Sequence, residues 1–231
     1  MKSAISVTCQ QCGEPITVQA TGTKAFKDTQ CPSCKTPIWF VAPLGNGVGL
    51  RIMNRAGNEL QQKDFTLTIV LSAMAVECDL AYFYVKWRAL DFAMANNTPF
   101  SDVAKKEECA EEWRNFRYIS RRFDEVSLLL TGKNLDSFLL DNGALVKTVE
   151  NEYPASKTFT SWKEFFRREL FDRRNKIVHR GEIDFQEAEG QMCFALAATL
   201  SQIIKSMDLH RIKAMDLQVH NGTVPSLKAA P

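Results

Sequence analysis

The sequence predicts a mainly α-helical bundle preceded by a small β module. From Asp64 onward, apolar residues recur every three to four positions, which is the spacing of a helix with one buried face. Before residue 42, short β-type stretches at 16–18 and 38–41 lie between and after two pairs of closely spaced cysteines. We therefore expect two folding units, one stabilised by a hydrophobic core and one by its cysteines.

The length, composition and net charge of the chain exclude some classes of protein. The chain has 231 residues, of which 45% are hydrophobic, enough for one ordinary domain plus a small module. The formal net charge is only +2, so any affinity for nucleic acid has to come from a local patch of cations. No apolar run precedes Cys9, which argues against a secretory signal. Seven cysteines, of which four are paired by spacing, favour metal binding in a reducing cytoplasm over a disulfide framework.

Four cysteines are spaced as metal ligands. Cys9 and Cys12 form one pair, and Cys31 and Cys34 form a second pair after eighteen intervening residues. Each pair predicts a tight turn that directs two thiolates at one point, and two such turns make a closed tetrahedral site for a structural Zn²⁺. Residues 1–42 are therefore predicted to be a zinc ribbon. The simplest interpretation is that the metal only stabilises a module too small to fold without it; the alternative is that the ribbon also binds RNA or a protein.

Breaks in the helical pattern divide the rest of the chain. Residues 43–60 contain a proline and four glycines, which predict a linker or a hairpin-like extension. Residues 61–210 are predicted to be the helical domain, and residues 211–231 a flexible tail. Ser161 followed by Glu164 favours a capping box at a helix start, and Gly181 favours a helix end. The expected helices cover about 64–95, 102–131, 134–151, 161–180 and 185–208.

One apolar segment raises the question of a membrane. Residues 65–85 are long and apolar enough for a transmembrane helix. Glu77 and Asp79 interrupt the segment near its middle, where charged side chains are costly in lipid. We therefore expect no membrane partner and a cytoplasmic location.

The residues with the clearest chemistry lie at the end of the fourth expected helix. Arg174, Asn175 and His179 include a permanent cation and, five residues further on, a group that titrates near neutral pH. A metal-free ribonuclease needs both: a cation to hold the phosphate charge and an acid or base to move a proton. Asn175 lies four residues from His179 and can orient the imidazole or a backbone group. The plainer interpretation of His179 alone is a residue that caps the helix C-terminus.

The first expected helix offers a carboxylate for Arg174. Glu77 is placed on an apolar face of that helix, where a carboxylate is costly unless it is paired. Arg174, which shares its own helix face with apolar residues, is the expected partner. The alternative is a structural salt bridge between two helices that needs no catalysis. Four polar residues share another face of this helix, which is predicted to be its outer, solvent-exposed face: Ser72, Asp79, Tyr82 and Lys86.

The number of histidines predicts a dimer. The helical domain has one well-placed histidine, whereas acid–base cleavage of RNA usually uses two proton carriers. A symmetric dimer would bring two copies of His179 together. Lys176 and Arg180 flank the motif and are the expected contacts for the RNA backbone. A second stripe of cations is interpreted as a solvated helix face of mixed charge: Arg114, Arg117 and Arg121.

An all-α domain in which Arg-Asn is followed, after three residues, by His near the end of a late helix resembles the HEPN superfamily. Arg174, Asn175 and His179 match the family motif residue by residue, and Glu77 loosely matches an acidic residue that some members carry on the first core helix. The resemblance covers about residues 61–210, and the zinc ribbon is no part of it.

The resemblance implies a compact HEPN-like helical bundle that dimerises. In many members such a bundle is a metal-independent ribonuclease of toxin–antitoxin, abortive-infection or CRISPR-linked defence systems. The expected partners are then an RNA substrate, a second copy of the chain and an antitoxin or defence-system protein. Because some HEPN domains lack nuclease activity, the alternative function is a non-catalytic dimerisation module whose ribbon binds a protein or nucleic acid.

Overall fold

The computed structural model describes residues 3–8, 12, 15–20, 29–35, 37–38, 47–96 and 103–220. In the N-terminal part, the backbone forms two short antiparallel strand pairs: β1 (Ser3–Thr8) with β2 (Pro15–Ala20), and β3 (Thr29–Gln30) with β4 (Pro37–Ile38). A zinc ribbon in this part of the chain stays a prediction, because Cys9 lies outside the described residues.

The described residues from Gly47 onward are mainly helical, which confirms the prediction of a mainly α fold. A 3₁₀ turn (Pro154–Thr158) precedes the seventh helix, and a π-helical turn (Arg167–Phe171) joins the seventh helix to the eighth. The α-helices are α1 (Gly47–Gln61), α2 (Phe65–Asn96), α3 (Val103–Arg114), α4 (Ile119–Thr131), α5 (Leu135–Asp141), α6 (Gly143–Glu152), α7 (Trp162–Phe166), α8 (Asp172–Arg180) and α9 (Glu187–His220).

Helix α2 is the central helix of the bundle. Helices α1, α3, α4, α8 and α9 all pack against it, and α9 runs along much of its length. Apolar side chains are therefore buried around most of its circumference, among them Leu80, Phe83 and Trp87. A helix enclosed in this way has no single apolar stripe, so its sequence is apolar on nearly every side.

The predicted outer face of α2 is wrong. Ser72, Asp79 and Lys86 are only 0%, 4% and 3% exposed. Helix α9 supplies partners for two of them: the Ser201 hydroxyl donates to Asp79 Oδ2 at 2.8 Å, and Lys86 Nζ donates to Asp208 Oδ1 at 2.8 Å. The buried Ser72 hydroxyl has no hydrogen-bond partner among the described residues. Burial lowers the pKa of Lys86, while the charge of Asp208 acts against that shift. Asp79 and Lys86 thus pair with groups of α9, and none of the three residues marks a solvated surface.

The predicted linker is also corrected. Residues 47–61 of the expected linker and domain boundary form α1, which packs against α2 and α9. A side chain at Gly49 would meet the Ala75 carbonyl oxygen and the Asp79 carboxylate, and one at Gly57 would touch the Phe194 ring. The glycines that suggested a break in helical structure therefore allow α1 to approach its neighbours closely. Residues 43–46 lie outside the described residues.

Three further helix boundaries differ from the expected ones. The second expected helix is divided into α3 and α4 by a turn in which Phe116 N donates to Trp113 O, so that Phe116 is buried in the core. The third is divided into α5 and α6 at Asn142, whose side chain donates to Phe138 O at 2.7 Å. Helix α9 continues through residues 211–220, which were expected to be flexible; residues 221–231 lie outside the described residues.

Within the described residues, two helices are long and apolar enough to cross a membrane by length and composition, Phe65–Asn96 and Glu187–Met215. The same property belongs to the core helix of a globular bundle, and these helices are the two that pack together at its centre. They carry the buried Asp79, Lys86 and Asp208, which pair with groups of the bundle itself. The apolar composition is therefore weak support for a membrane span.

Candidate functional site

One helical segment, from α7 through the π turn to α8, carries the predicted motif. It begins where the Ser161 hydroxyl accepts the backbone N–H of Glu164 at 3.1 Å, and it ends at Gly181, whose φ of 69° is a left-handed conformation that glycine adopts readily. The helix start at Ser161 and the helix end at Gly181 are confirmed, but the expected capping box is only half formed, because the Glu164 carboxylate accepts the Thr160 hydroxyl at 2.9 Å and not the Ser161 N–H. The π turn adds a residue, so Arg174 is rotated by about 100° from the position that uninterrupted α-helical spacing after Lys163 and Arg167 would give it.

That rotation gives the three cations different partners. Lys163 donates to Asp124 of α4 at 2.6 Å, and Arg167 donates to Asp172 at 2.7 Å. Arg174 instead lies against α2.

Two oxygen acceptors surround Arg174. Its Nη2 lies 3.6 Å from Glu77 Oε2, and its Nη1 donates to Asn175 Oδ1 at 2.9 Å. The expected pairing of Arg174 with Glu77 is thus confirmed as a contact, while the catalytic role of both residues stays a prediction. The two side chains are each 25% exposed. Arg174 Nε is buried and has no hydrogen-bond partner among the described residues, which costs about 1–3 kcal/mol for such a donor.

The remaining motif residues are exposed on α8. His179 lies in its last turn, about 7.5 Å along the helix axis from Arg174. Asn175 contacts Arg174 and not the imidazole. Lys176 and Arg180 are exposed, and neither forms an ion pair with a described residue. The exposed carboxylates Glu182 and Asp184 follow α8, so the positive patch is confined to the helix itself.

Sequence reasoning missed Arg122 of α4. Its Nη1 lies 3.7 Å from Glu77 Oε1, so Glu77 is shared between Arg122 and Arg174. No signal in the sequence separates Arg122 from its neighbour Arg121, which pairs with Glu125 instead. Only the turn that starts α4 at Ile119 decides which of the two arginines faces α2.

Cys78, beside Glu77 in the chain, is not a candidate nucleophile. Burial is the largest cause that raises the pKa of its thiol, and the charges of Asp79 and Glu77 raise it further. The thiolate is the reactive form of cysteine, so a raised pKa keeps this residue inert near neutral pH.

Exposed apolar side chains flank the ion pair between Glu77 and Arg174. Met74 lies one helical turn before Glu77, and Val178 lies one turn after Arg174, so each shares a helix face with its charged neighbour. Met74 is 37% exposed, Val178 50% and Ile183 70%. The loop that carries Ile183 is fixed to α2, because the Thr66 hydroxyl donates to Ile183 O at 2.8 Å. Met74 and Val178 thus form an apolar rim beside the charged pair, whereas Ile183 lies farther away, because Thr66 is eleven residues, about 16 Å, before Glu77 on α2.

Three of the four predicted zinc ligands lie together. The sulfur atoms of Cys12, Cys31 and Cys34 are all within 4.8 Å of one another, and those of Cys12 and Cys31 are 3.5 Å apart. A tetrahedral zinc site with Zn–S bonds of about 2.3 Å has S–S edges of about 3.8 Å, so these positions fit such an ion. Lys35 N donates to Cys31 O at 2.9 Å and closes the second turn. Cys9 lies outside the described residues.

A cavity of about 270 Å³ lies elsewhere, at the start of α7. Asp136, Ser156, Phe159 and Trp162 are among its lining residues, and none of the predicted site residues lines it. The Asp136 carboxylate already accepts the Trp162 N–H at 2.6 Å. The cavity is therefore separate from the candidate site on α8.

No protein-family model, curated protein or solved structure matches this chain. The similarity to the HEPN superfamily accordingly rests on the motif residues themselves.

Proposed function

We propose that this protein is a cytoplasmic, metal-independent endoribonuclease with a HEPN-like helical domain and an N-terminal structural zinc ribbon. One observation carries the proposal: Arg174 is oriented by Glu77 and Asn175 yet stays partly exposed, on the same short helix as an exposed His179. Such an activity suits an effector of a toxin–antitoxin or antiphage-defence system, in which an antitoxin or another protein of the system would restrain it.

In the proposed reaction the ribose 2′-oxygen attacks the adjacent phosphorus, and the bond from phosphorus to the 5′-oxygen breaks. His179 takes the proton from the 2′-hydroxyl or gives a proton to the departing 5′-oxygen. Arg174 stabilises the charge that builds on the phosphoryl oxygens. Asn175 keeps Arg174 in place and offers its amide N–H groups to the phosphate. The products are a 2′,3′-cyclic phosphate and a 5′-hydroxyl.

The surroundings of Arg174 support binding of a phosphate. Its Nε has no acceptor among the described residues, and a phosphate oxygen is an acceptor that a small rotation of the guanidinium could reach. Lys176 and Arg180 lie on the same helix, and neither forms an ion pair with a described residue. Binding of RNA should therefore weaken as the salt concentration rises.

We further propose that the protein acts as a homodimer with two copies of His179 near each other. The apolar rim of Met74 and Val178 supports an interface at this surface, because exposed apolar groups beside a polar site are typical of protein contacts. The same rim favours the second candidate function, a non-catalytic dimerisation module. In that case the pair of Arg174 and Glu77 is only a structural salt bridge.

Incubation of the purified protein with total RNA in EDTA distinguishes the two functions. We expect cleavage that leaves cyclic phosphate ends, and we expect His179→Ala to abolish it. His210→Ala is the matched control, because His210 is also exposed but contacts Phe138 on another side of the bundle. Full activity in a folded His179→Ala protein, or loss of activity in both variants alike, would contradict this mechanism.

A second pair of variants tests the cation. Arg174→Ala should abolish cleavage, whereas Arg168→Ala removes an exposed arginine of the preceding turn and should leave cleavage within about two-fold, since its pair with Glu164 is a surface contact. Circular dichroism should show similar helical content in both. If Arg174→Ala unfolds the chain, the structural role of the salt bridge gains support.

A further inference from the structure

Glu77 is the centre of a three-residue cluster that spans three helices. Its Oε2 faces Arg174 of α8 at 3.6 Å, and its Oε1 faces Arg122 of α4 at 3.7 Å. All three side chains are partly exposed, at 25% for Glu77 and Arg174 and 22% for Arg122. One carboxylate thus serves two permanent cations, and each of its oxygen atoms has its own partner.

Arg122 is held more firmly than Arg174. Its Nε donates to Phe116 O at 2.9 Å, and its guanidinium carbon lies 5.1 Å from the centre of the Trp113 ring. Phe116 and Trp113 are both 7% exposed and belong to the core. Arg122 is therefore fixed to the turn between α3 and α4 by contacts that do not involve Glu77.

The net charge of the cluster determines whether Glu77 neutralises Arg174. A carboxylate that faced Arg174 alone would neutralise it and would compete with a phosphate for its donors. With Arg122 on the other oxygen, the cluster keeps one net positive charge. When a phosphate draws Arg174 away, Glu77 also keeps a cationic partner, so the desolvation cost of leaving it unpaired is avoided.

We propose that Arg122 is a positioning residue of the ribonuclease site: it binds Glu77 so that Glu77 orients Arg174 without neutralising it. This inference rests on the proposed function, since it assigns Arg122 a role in presenting Arg174 to the RNA phosphate. Arg122 itself acts through Glu77 and does not contact the substrate.

A double-mutant cycle tests the proposal. Arg122→Gln should lower kcat/KM for RNA about ten-fold, within the range of coupling between directly contacting charges. In the Glu77→Gln background the same change should have less than a two-fold effect, because Arg122 then has no carboxylate to hold. A purely structural role through Phe116 and Trp113 would lower activity equally in both backgrounds. Arg121→Gln is the matched control and should be neutral in both.

Binding of a 2′-O-methyl RNA, which cannot be cleaved by 2′-oxygen attack, supplies an independent readout of the same cycle. The dissociation constant should rise about ten-fold with Arg122→Gln only when Glu77 is present. If wild-type protein binds this RNA but cleaves none, the proposed function fails while the binding cycle still decides the role of Arg122. Equal effects in both backgrounds, no effect in either, or no binding by wild-type protein overturns the inference.

A conservative variant covers the case in which Arg122→Gln fails to fold. Arg122→Lys keeps the charge near Glu77 but loses the Nε hydrogen bond to Phe116. If the positive charge beside Glu77 is what matters, the Arg122→Lys protein should retain more than half of the wild-type affinity for RNA. Affinity as low as that of the Arg174→Ala protein, in a folded Arg122→Lys variant with a native denaturation profile, would overturn the proposal.

Discussion

Replacement of Gly49 by alanine should destabilise the protein, whereas the same replacement of Gly57 on the same helix should stabilise it. The two positions differ in what a methyl group would meet. At Gly49 an added Cβ would lie 2.2 Å from Asp79 Oδ1 and 3.2 Å from the Ala75 carbonyl oxygen. At Gly57 it would lie 3.4 Å from the Phe194 ring, which is ordinary contact.

The magnitude follows from three contributions. Alanine in place of glycine favours the helix by up to about 1 kcal/mol at either position. At Gly49 the carbonyl oxygen of Ala75 belongs to the backbone of α2, so the helices must move apart, and overpacking of this kind costs about 1–3 kcal/mol. Displacement of the Asp79 carboxylate also weakens its buried hydrogen bond with Ser201, at about 1–3 kcal/mol. The net loss at Gly49 should be about 2 kcal/mol.

Thermal denaturation followed by circular dichroism measures both variants. For a domain of this size, about 1 kcal/mol corresponds to about 2–4 °C in Tm. We expect Gly49→Ala to lower Tm by about 4–8 °C and Gly57→Ala to raise it by about 2 °C. Equal stabilisation by both substitutions would show that α1 does not approach α2 closely at Gly49, whereas no effect of either substitution would restore the interpretation of this segment as a linker.

Three further predictions concern a buried charge, pH and metal. Asp208→Ala leaves a buried lysine without its carboxylate and should lower the free energy of unfolding by about 3–5 kcal/mol, whereas Asp141→Ala breaks an exposed pair and should cost about 1 kcal/mol or less in a urea titration. Burial raises the pKa of the Cys193 thiol to about 12, so the folded protein holds this proton more tightly than the unfolded chain. The free energy of unfolding should therefore fall as pH rises above about 9, and it should fall more steeply than in Cys193→Ala. Equal dependence of the unfolding free energy on pH in the two proteins would contradict this. One Zn²⁺ per chain should be found by elemental analysis and should be lost with Cys31→Ser and Cys34→Ser together; full zinc content in that double variant would exclude these ligands.

The pairing of Arg174 with Glu77 could be predicted because it follows from a single physical rule. A carboxylate on an apolar helix face is costly without a partner, and an arginine between apolar neighbours has the same need. The rule says nothing about a second partner. Arg122 remained hidden because it lies beside Arg121 in a helix whose start depends on the turn at residues 115–118, and local spacing does not fix where that turn falls.

The errors at α1 and α2 have a common origin in tertiary packing. Glycines were interpreted as breaks in helical structure, but at Gly49 the lack of a side chain is what lets α1 approach the backbone of α2. The spacing of Asp79 and Lys86 predicts a solvated face, but Ser201 and Asp208 of α9 are their partners, more than a hundred residues further along the chain. Neither partner can be identified from the sequence near α2.

The difference in exposure among these polar pairs indicates where chemistry can take place. Lys86 and Asp208 are almost fully buried, so exchange of either partner for a ligand would require the bundle to open. Arg174 and Glu77 form a looser pair: both side chains are 25% exposed, and Arg174 Nη2 lies 3.6 Å from Glu77 Oε2. A second cation, Arg122, faces the other carboxylate oxygen. An incoming phosphate can compete for Arg174 at that exposure without unfolding the chain, because Arg122 continues to compensate Glu77. The pair of Arg88 and Glu112 is more exposed still, but the pair of Arg174 and Glu77 is the one whose cation lies on α8, the helix that also carries the exposed His179.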